Sequence, residues 1–227
     1  MSKISFVIPV FNEEESLREV YGQIKIVLEN DLKDYQYEII FINDGSTDKS
    51  LEVMKKLERK DPKIKVISFR KNLGKATALN EGFKKATGDC VVTMDGDLQD
   101  GSENIPALLE KLNKGYDLVV GWRRKRFDPL SKIIPSKVFN FFVRIVSGIP
   151  LHDFNCGLKV MKREAAKKLY LYGELHRFIP VLTHQMGFKV SEQIVIHHPR
   201  KYGVSKYGGG RFIRSCFDFF VVILRQI

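Results

Sequence analysis

The sequence predicts an α/β fold in which a Rossmann-like, mostly parallel central sheet is flanked by helices. Three observations carry that expectation. Short β runs alternate with helical patterns through residue 121, as in successive βαβ units. The first run, "ISFVIPV", reads as a buried strand. Two acidic stretches, "NDGSTD" and "DGDLQD", follow β runs, and ligands of such sheets sit outside the carboxyl ends of the strands.

In order, residues 4–10 form the first strand, and Leu17, Val20, Tyr21, Ile24, Val27 and Leu28 then recur at helical spacing. "YEIIFIND" (37–44) is the second strand, followed by a helix carrying Leu51, Met54 and Leu57. "IKVISF" (64–69) is the third, with a helix marked by Leu79, Phe83 and Ala86. "DCVVTM" (89–94) is the fourth; Ile105, Leu108, Leu109 and Leu112 mark its helix, and "DLVVG" (117–121) is the fifth strand. Beyond residue 121 the pattern changes. Residues 130–149 mix Phe139, Phe142, Val143 and Val146 with Lys132, Lys137 and Arg144, the composition of an amphipathic helix on a surface. "CGLKVM" predicts a strand with a short helix after it, residues 188–198 another strand, and residues 199–211 a basic Gly-rich loop.

Hydrophobic residues make up 44% of the 227, enough for a substantial core. The formal charge of +11 is uneven: residues 1–120 hold 18 basic and 21 acidic residues, residues 121–227 hold 20 and 6. The second half therefore expects an anionic partner: phosphate, nucleic acid or an anionic membrane face. No nucleic-acid recognition motif accompanies the charge, so nucleic acid is not an expected partner. Cys90, Cys156 and Cys216 show neither zinc spacing nor a disulfide framework, which suits a reducing compartment. No signal peptide fits the opening strand, and no run approaches the roughly 18 apolar residues of a membrane span. The sequence stops inside an apolar amphipathic run, "FDFFVVILRQI", from which we expect either a longer natural chain or a membrane-facing surface.

Asp95 and Asp97 flank Gly96 at the end of the fourth strand. In an extended chain, side chains at i and i+2 point the same way. Two such carboxylates can hold Mg²⁺ or Mn²⁺, with Gln99 as a neutral oxygen nearby. A solvated Asp-rich turn is the competing reading. "NDGSTD" is equally divided between turn and N-cap chemistry and a ligand role for Asp44, whose carboxylate can accept from a nucleobase N–H. Arg123 to Arg126 can be a solvated basic run, and Phe139, Phe142 and Val143 ordinary core. His176, His197 and His198 read as hydrogen-bonding scaffold and Trp122 as packing.

"VIPVFNEEESL", "INDGSTD", "NLGKATALNEG" and "MDGDLQD" occur in an order and spacing that resemble the family 2 glycosyltransferases of the GT-A fold. "DFNCGLKVM", "LHRFIPVL" and "HHPRKYGVSKY" are similar to the polyprenyl-phosphate branch, which includes dolichol-phosphate mannose synthases and undecaprenyl-phosphate glucosyltransferases. The resemblance covers nearly the whole chain and implies inverting transfer of a sugar from a nucleotide sugar, UDP- or GDP-linked, to a lipid phosphate. It divides one GT-A domain into a nucleotide-sugar-binding region (1–121) and an acceptor-binding, membrane-interface region (122–227). It implies that Asp95 and Asp97, with Gln99, bridge the donor diphosphate through Mg²⁺ or Mn²⁺. Pro9, Phe11, Glu13 and Asp44 would line the nucleoside pocket, with Asn72 and Lys75 near it.

For the acceptor phosphate the resemblance implies Ser136 with Lys132, and a mobile loop carrying Arg200 and Lys206 that closes over the phosphates. Arg123 would reach donor or acceptor phosphates. Asp153 would orient or deprotonate the nucleophile, beside Asp97 and Arg200 at the reacting centre. Expected partners are a polyprenyl phosphate, an anionic membrane surface on the cytoplasmic side and either a membrane-spanning partner or C-terminal helices; homo-oligomerisation stays open. One departure stands out: relatives with "DLQDPPE" are matched here by "DLQDGSE", and Ser102 is expected to serve as the N-cap of the next helix. The transfer expected first is UDP-glucose to undecaprenyl phosphate, with GDP-mannose to dolichyl phosphate as the alternative. Two further rival readings are a transferase acting on a soluble glycan and a non-catalytic nucleotide- or membrane-binding module.

Overall fold

The computed structural model describes residues 3–203, apart from the side chain of Lys132. Lys206, the glycines of 208–210 and the apolar run near residue 227 lie outside the described residues. Seven strands form one sheet in the order β3-β2-β1-β4-β6-β5-β7. They are β1 (Lys3–Val10), β2 (Gln36–Asn43), β3 (Ile64–Ser68), β4 (Cys90–Thr93), β5 (Leu118–Trp122), β6 (Lys159–Lys162) and β7 (Val190–Ile194). Strands β1 to β4 pair in parallel, as do β5 and β7, while β6 runs antiparallel between β4 and β5. The sheet is thus mostly parallel, as expected.

The apolar runs follow from that position. β1 lies between β2 and β4 with helices packed on the sheet, so Ile4, Phe6, Val7 and Ile8 are all fully buried. The helices are α1 (Leu17–Asn30), α2 (Ser50–Lys60), α3 (Lys75–Lys85), α4 (Ile105–Asn113), α5 (Leu130–Ser147), α6 (Arg163–Lys168) and α7 (Ile179–Gln185). Gly82 shows how closely α3 seats on β1: an added Cβ would meet Val7 Cγ1 at 2.2 Å.

Two expectations are corrected. Ser102 does not cap α4; it opens a 3₁₀ turn (Ser102–Asn104) without a side-chain cap bond, and α4 begins at Ile105. The side chain of Asn104 instead bonds the Gly101 carbonyl and both backbone groups of Ile196, tying α4 to the segment after β7. In α5, Phe139 and Val143 turn into the core, whereas Phe142 and Val146 stay exposed with Leu130, Ile134, Phe141 and Ile145. No helix among the described residues is long and apolar enough to cross a membrane.

Antiparallel insertion of β6 has a functional consequence. Its first residue, Lys159, lies opposite Thr93 and Val120 near the carboxyl ends of β4 and β5. The loop leading into β6 (153–158) therefore joins the segments that leave β1 to β5 and β7 at one edge of the sheet.

Candidate active site

The run after β4 turns at once. Gly96 and Asp97 lie in a turn and Leu98 takes φ +64°, so residues 95–100 are not the extended chain assumed for the carboxylate pair. Asp97 is pushed up to about 7 by burial and then by Asp95, against the pull of Arg200. Burial also opposes ionisation of Asp95, but the Lys75 ammonium, with Lys159 and Arg123, outweighs it and holds that carboxyl below its usual range. Lys75 Nζ donates to Asp95 Oδ1 at 2.5 Å, and Arg200 Nη2 to Asp97 Oδ2 at 2.5 Å. Arg200 Nη1 also lies 3.8 Å from Glu13 Oε1. The basic segment after β7 and the first residue of α3 thus bring cations to the acidic rim.

Asp100, the third acid of the stretch, points into the fold: it accepts from the Leu158 N–H at 3.1 Å and from the Cys156 thiol. Gly157 passes beneath the rim, where an added Cβ would meet Asp95 Oδ2 at 2.7 Å and Asp100 Oδ2 at 2.8 Å. No side chain fits there. Gln99 engages by its backbone, donating to Asp97 Oδ1 at 3.1 Å and accepting from the His198 N–H at 2.8 Å.

The donor set suits a hard divalent cation. Asp95 and Asp97 present carboxylate oxygens whose charge is now balanced by two side-chain cations, and Mg²⁺-type ions take one or two carboxylates and complete their shell with substrate phosphate and water. Among the described residues no three His, Cys, Asp or Glu side chains converge into a full metal cage, so an ion here would draw its remaining ligands from substrate or water.

Beside the rim, the loop after β1 is stitched to the loop after β2. Asn12 N–H donates to Ser46 Oγ, Glu13 N–H to Ser50 Oγ, and Glu14 N–H to Asp48 Oδ2. Asp44, at the end of β2, is buried and accepts from the N–H groups of Leu73 and Gly74 at 2.7 and 3.0 Å. This fixes the exposed Asn72 loop against Gly45, whose φ of +68° and the 2.3 Å that an added Cβ would leave to the Lys71 carbonyl carbon exclude any side chain. Phe11 and Glu13 are half-buried at the same edge. Pro9, Lys75, Asp95, Asn155 and Lys159 line a small hollow beneath it.

On the basic side, Arg123 and Asp153 form a two-point ion pair, Nε to Oδ2 at 2.8 Å and Nη2 to Oδ1 at 3.1 Å. Asp153 also accepts from the Asn155 N–H. Burial raises the Asp153 pKa, but Arg123 overrides it, and the net shift is downward. Trp122, next to Arg123, stacks on His152 at 4.0 Å, and both the ring and the N–H of His152 meet Glu192 of β7. Ser136, on α5, accepts from Arg126 Nη1 at 2.8 Å.

Sequence reasoning missed three features. Lys159 is buried, its ammonium bonds the Cys156 carbonyl, and burial brings its pKa down to about 8; the signal was a lysine inside an apolar β run. Arg126 was taken with its exposed neighbours Arg124 and Lys125, although it folds inward. The clamp of His152 by Glu192 joins residues 40 apart in sequence and left no local signal.

An acidic rim, a hydrogen-bonded pair of loops and a cluster of cations meet at the carboxyl edge of a mostly parallel sheet, an arrangement of the GT-A type. The chain belongs to the glycosyl transferase family 2, whose family model matches residues 5–170. Among curated proteins it is 34% identical over 226 residues to the dodecaprenyl-phosphate galacturonate synthase of Rhizobium johnstonii, covering 97% of this chain and 66% of that protein. It is 34% identical over 216 residues to the undecaprenyl-phosphate 4-deoxy-4-formamido-L-arabinose transferase of Pseudomonas syringae, covering 95% and 64%. The chain thus spans about two thirds of the length of these relatives. Among solved structures it resembles glucosyl-3-phosphoglycerate synthase from Mycobacterium tuberculosis with Mn²⁺ and UDP-glucose, at TM-score 0.75 and 19% identity over 98% of this chain and 79% of that one. A mannosyltransferase from Pyrobaculum calidifontis with GDP-mannose and Mn²⁺ matches at TM-score 0.68 and 19% identity, over 98% and 64%.

Proposed function

We propose that the chain is a metal-dependent, inverting hexosyltransferase that moves a sugar from a nucleotide sugar to undecaprenyl phosphate at the cytoplasmic face of a membrane, with UDP-glucose as the donor. The observation that carries this reading is the meeting of the Asp95/Asp97 rim with the Arg123–Asp153 and Arg126–Ser136 pairs at one sheet edge. A bound divalent ion would supply charge neutralisation for the departing diphosphate, held by Asp95 and Asp97. Lys75 and Arg200, now on those carboxylates, are placed to follow the phosphates. A lipid phosphate is already anionic, so position and charge balance matter more than a strong base. Asp153, bound three times over and kept ionised, suits the work of orienting Arg123.

A second reading keeps the lipid acceptor and changes the sugar. It is favoured by the relatives' names, which specify galacturonate and formamidoarabinose rather than glucose. Labelled donors offered with undecaprenyl phosphate, dolichyl phosphate or a soluble glycan separate these readings. Label entering the organic phase only with lipid phosphate supports the acceptor class; label found only in a water-soluble product removes it.

A further inference from the structure

We propose that Arg126 is a ligand of the acceptor phosphate, acting with Ser136 and held in pose by Asp128 and His197. The proposal rests on the reading of Ser136 as part of the acceptor-phosphate seat, and adds a further cation to that seat.

Arg126 belongs to a run of basic residues, but the run divides in two. Arg124 and Lys125 are exposed, while Arg126 turns back toward α5, its side chain 14% exposed. Its Nε and Nη2 both reach Asp128 Oδ2, at 3.0 and 2.9 Å, and its Nη1 reaches Ser136 Oγ at 2.8 Å. Among the described residues, three of the five guanidinium N–H groups are thereby used, and one remains on each terminal nitrogen. Terminal N–H groups of this kind are the donors a guanidinium offers to a phosphate.

The hydroxyl matters as much as the cation. Ser136 Oγ accepts from Arg126, so its own proton is directed away from the guanidinium and can be given to a second phosphate oxygen. One anion placed at this junction would receive hydrogen bonds from both groups. The pose is not that of a loose surface arginine. Asp128 is held between Arg126 and the buried His197, whose Nε2 lies 3.9 Å from Asp128 Oδ2 and whose Nδ1 accepts from the Phe127 N–H at 3.4 Å. His197 is in turn bridged to Asp100 on the strand-like segment behind the rim. On the sheet side, the Asp153 carboxylate, paired with Arg123, also feels the Arg126 charge. Ser136 lies on the side of α5 shared with the buried Phe139 and Val143, whereas Leu130, Ile134, Phe141 and Ile145 expose the opposite face of the same helix.

The test uses farnesyl phosphate, a short soluble polyprenyl phosphate, with farnesol as the control lacking the anion. Calorimetric titrations are run with UDP and Mn²⁺ present. Wild-type protein is expected to bind farnesyl phosphate and not farnesol. Arg126→Gln is expected to weaken that binding at least tenfold, with affinity for UDP and Mn²⁺ unchanged. Equal farnesyl phosphate affinity in wild type and Arg126→Gln overturns the proposal. If the wild type shows no phosphate-dependent binding, the acceptor reading itself fails and takes this inference with it. Should Arg126→Gln lose nucleotide binding through misfolding, Arg126→Lys decides: it keeps the charge but not the planar fork, a several-fold weakening supports the proposal, and wild-type affinity overturns it.

Discussion

Arg200 donates to Asp97 Oδ2 at 2.5 Å while its other terminal nitrogen lies 3.8 Å from Glu13. A residue from beyond β7 therefore stands on a carboxylate proposed to bind a metal, and metal and guanidinium compete for the same oxygens. A charge-assisted hydrogen bond of this kind contributes about 1.5–3 kcal/mol. Arg200→Ala should therefore raise Mn²⁺ affinity of the nucleotide-free protein about tenfold, read by electron paramagnetic resonance. The same variant should lose at least about 100-fold in turnover, because the cation is no longer present to meet the phosphates. Unchanged Mn²⁺ affinity would show that Arg200 is no competitor.

Residues 152 and 153 are gripped from two sides. His152 stacks on Trp122 and bonds Glu192, while Asp153 clasps Arg123. Glu192→Gln removes the charge from the His152 clamp without touching the rim. It should lower kcat about tenfold, leave donor KM within twofold, and be partly restored by Glu192→Asp. A rise in donor KM of the same size would place the clamp on the wrong side of the site.

Acid stability depends on a carboxylate remote from this chemistry. Glu38, 4% exposed in its side chain, meets Ser5 Oγ, the Thr87 N–H and hydroxyl, and Lys65 Nζ, all at 2.6–2.8 Å. Burial alone would raise its pKa, but Lys65, Thr87 and Ser5 together bring it from 4.5 to about 2. The folded pKa is depressed, so the stabilisation is complete above pH 4.5 and fades as pH falls toward 2. It is worth about 3 kcal/mol from the shift alone. Glu38→Gln should flatten that acid limb in urea titrations across pH 2 to 5; an unchanged limb would assign it to other carboxylates.

The outer face of α5 carries Leu130, Ile134, Phe141, Phe142 and Ile145, each more than half exposed. The helix belongs to the basic second half of the sequence, and such a face suits an anionic bilayer surface. Phe141→Glu with Ile145→Glu should cut binding to phosphatidylglycerol vesicles at least tenfold in flotation assays, with the melting temperature within a few degrees of wild type. Equal flotation would remove α5 from the membrane contact.

Much of the fold was legible because buried parallel strands have to be continuous apolar runs: β1 and β2 fall within a residue of their expected limits. β6 proved shorter than "CGLKVM", starting only at Lys159, since Cys156 and Gly157 are spent passing beneath Asp95 and Asp100. The rim itself was readable from Asp95 and Asp97, but not its counter-ions, because Lys75 and Arg200 arrive from 20 and 103 residues away. Helical spacing could not say which of the α5 aromatics faced inward. That was decided by the packing of Phe139 against Phe178.

The central claim is that Asp95 and Asp97 hold a divalent ion shared with a nucleotide diphosphate. The direct measurement is anomalous scattering at the manganese edge from crystals grown with UDP and Mn²⁺. The account predicts one strong peak within coordination distance, about 2.0–2.3 Å, of an Asp97 oxygen, with diphosphate oxygens completing the shell and Arg200 moved off that carboxylate. A nucleotide bound elsewhere, or one bound here with no manganese and Arg200 still on Asp97, would contradict it.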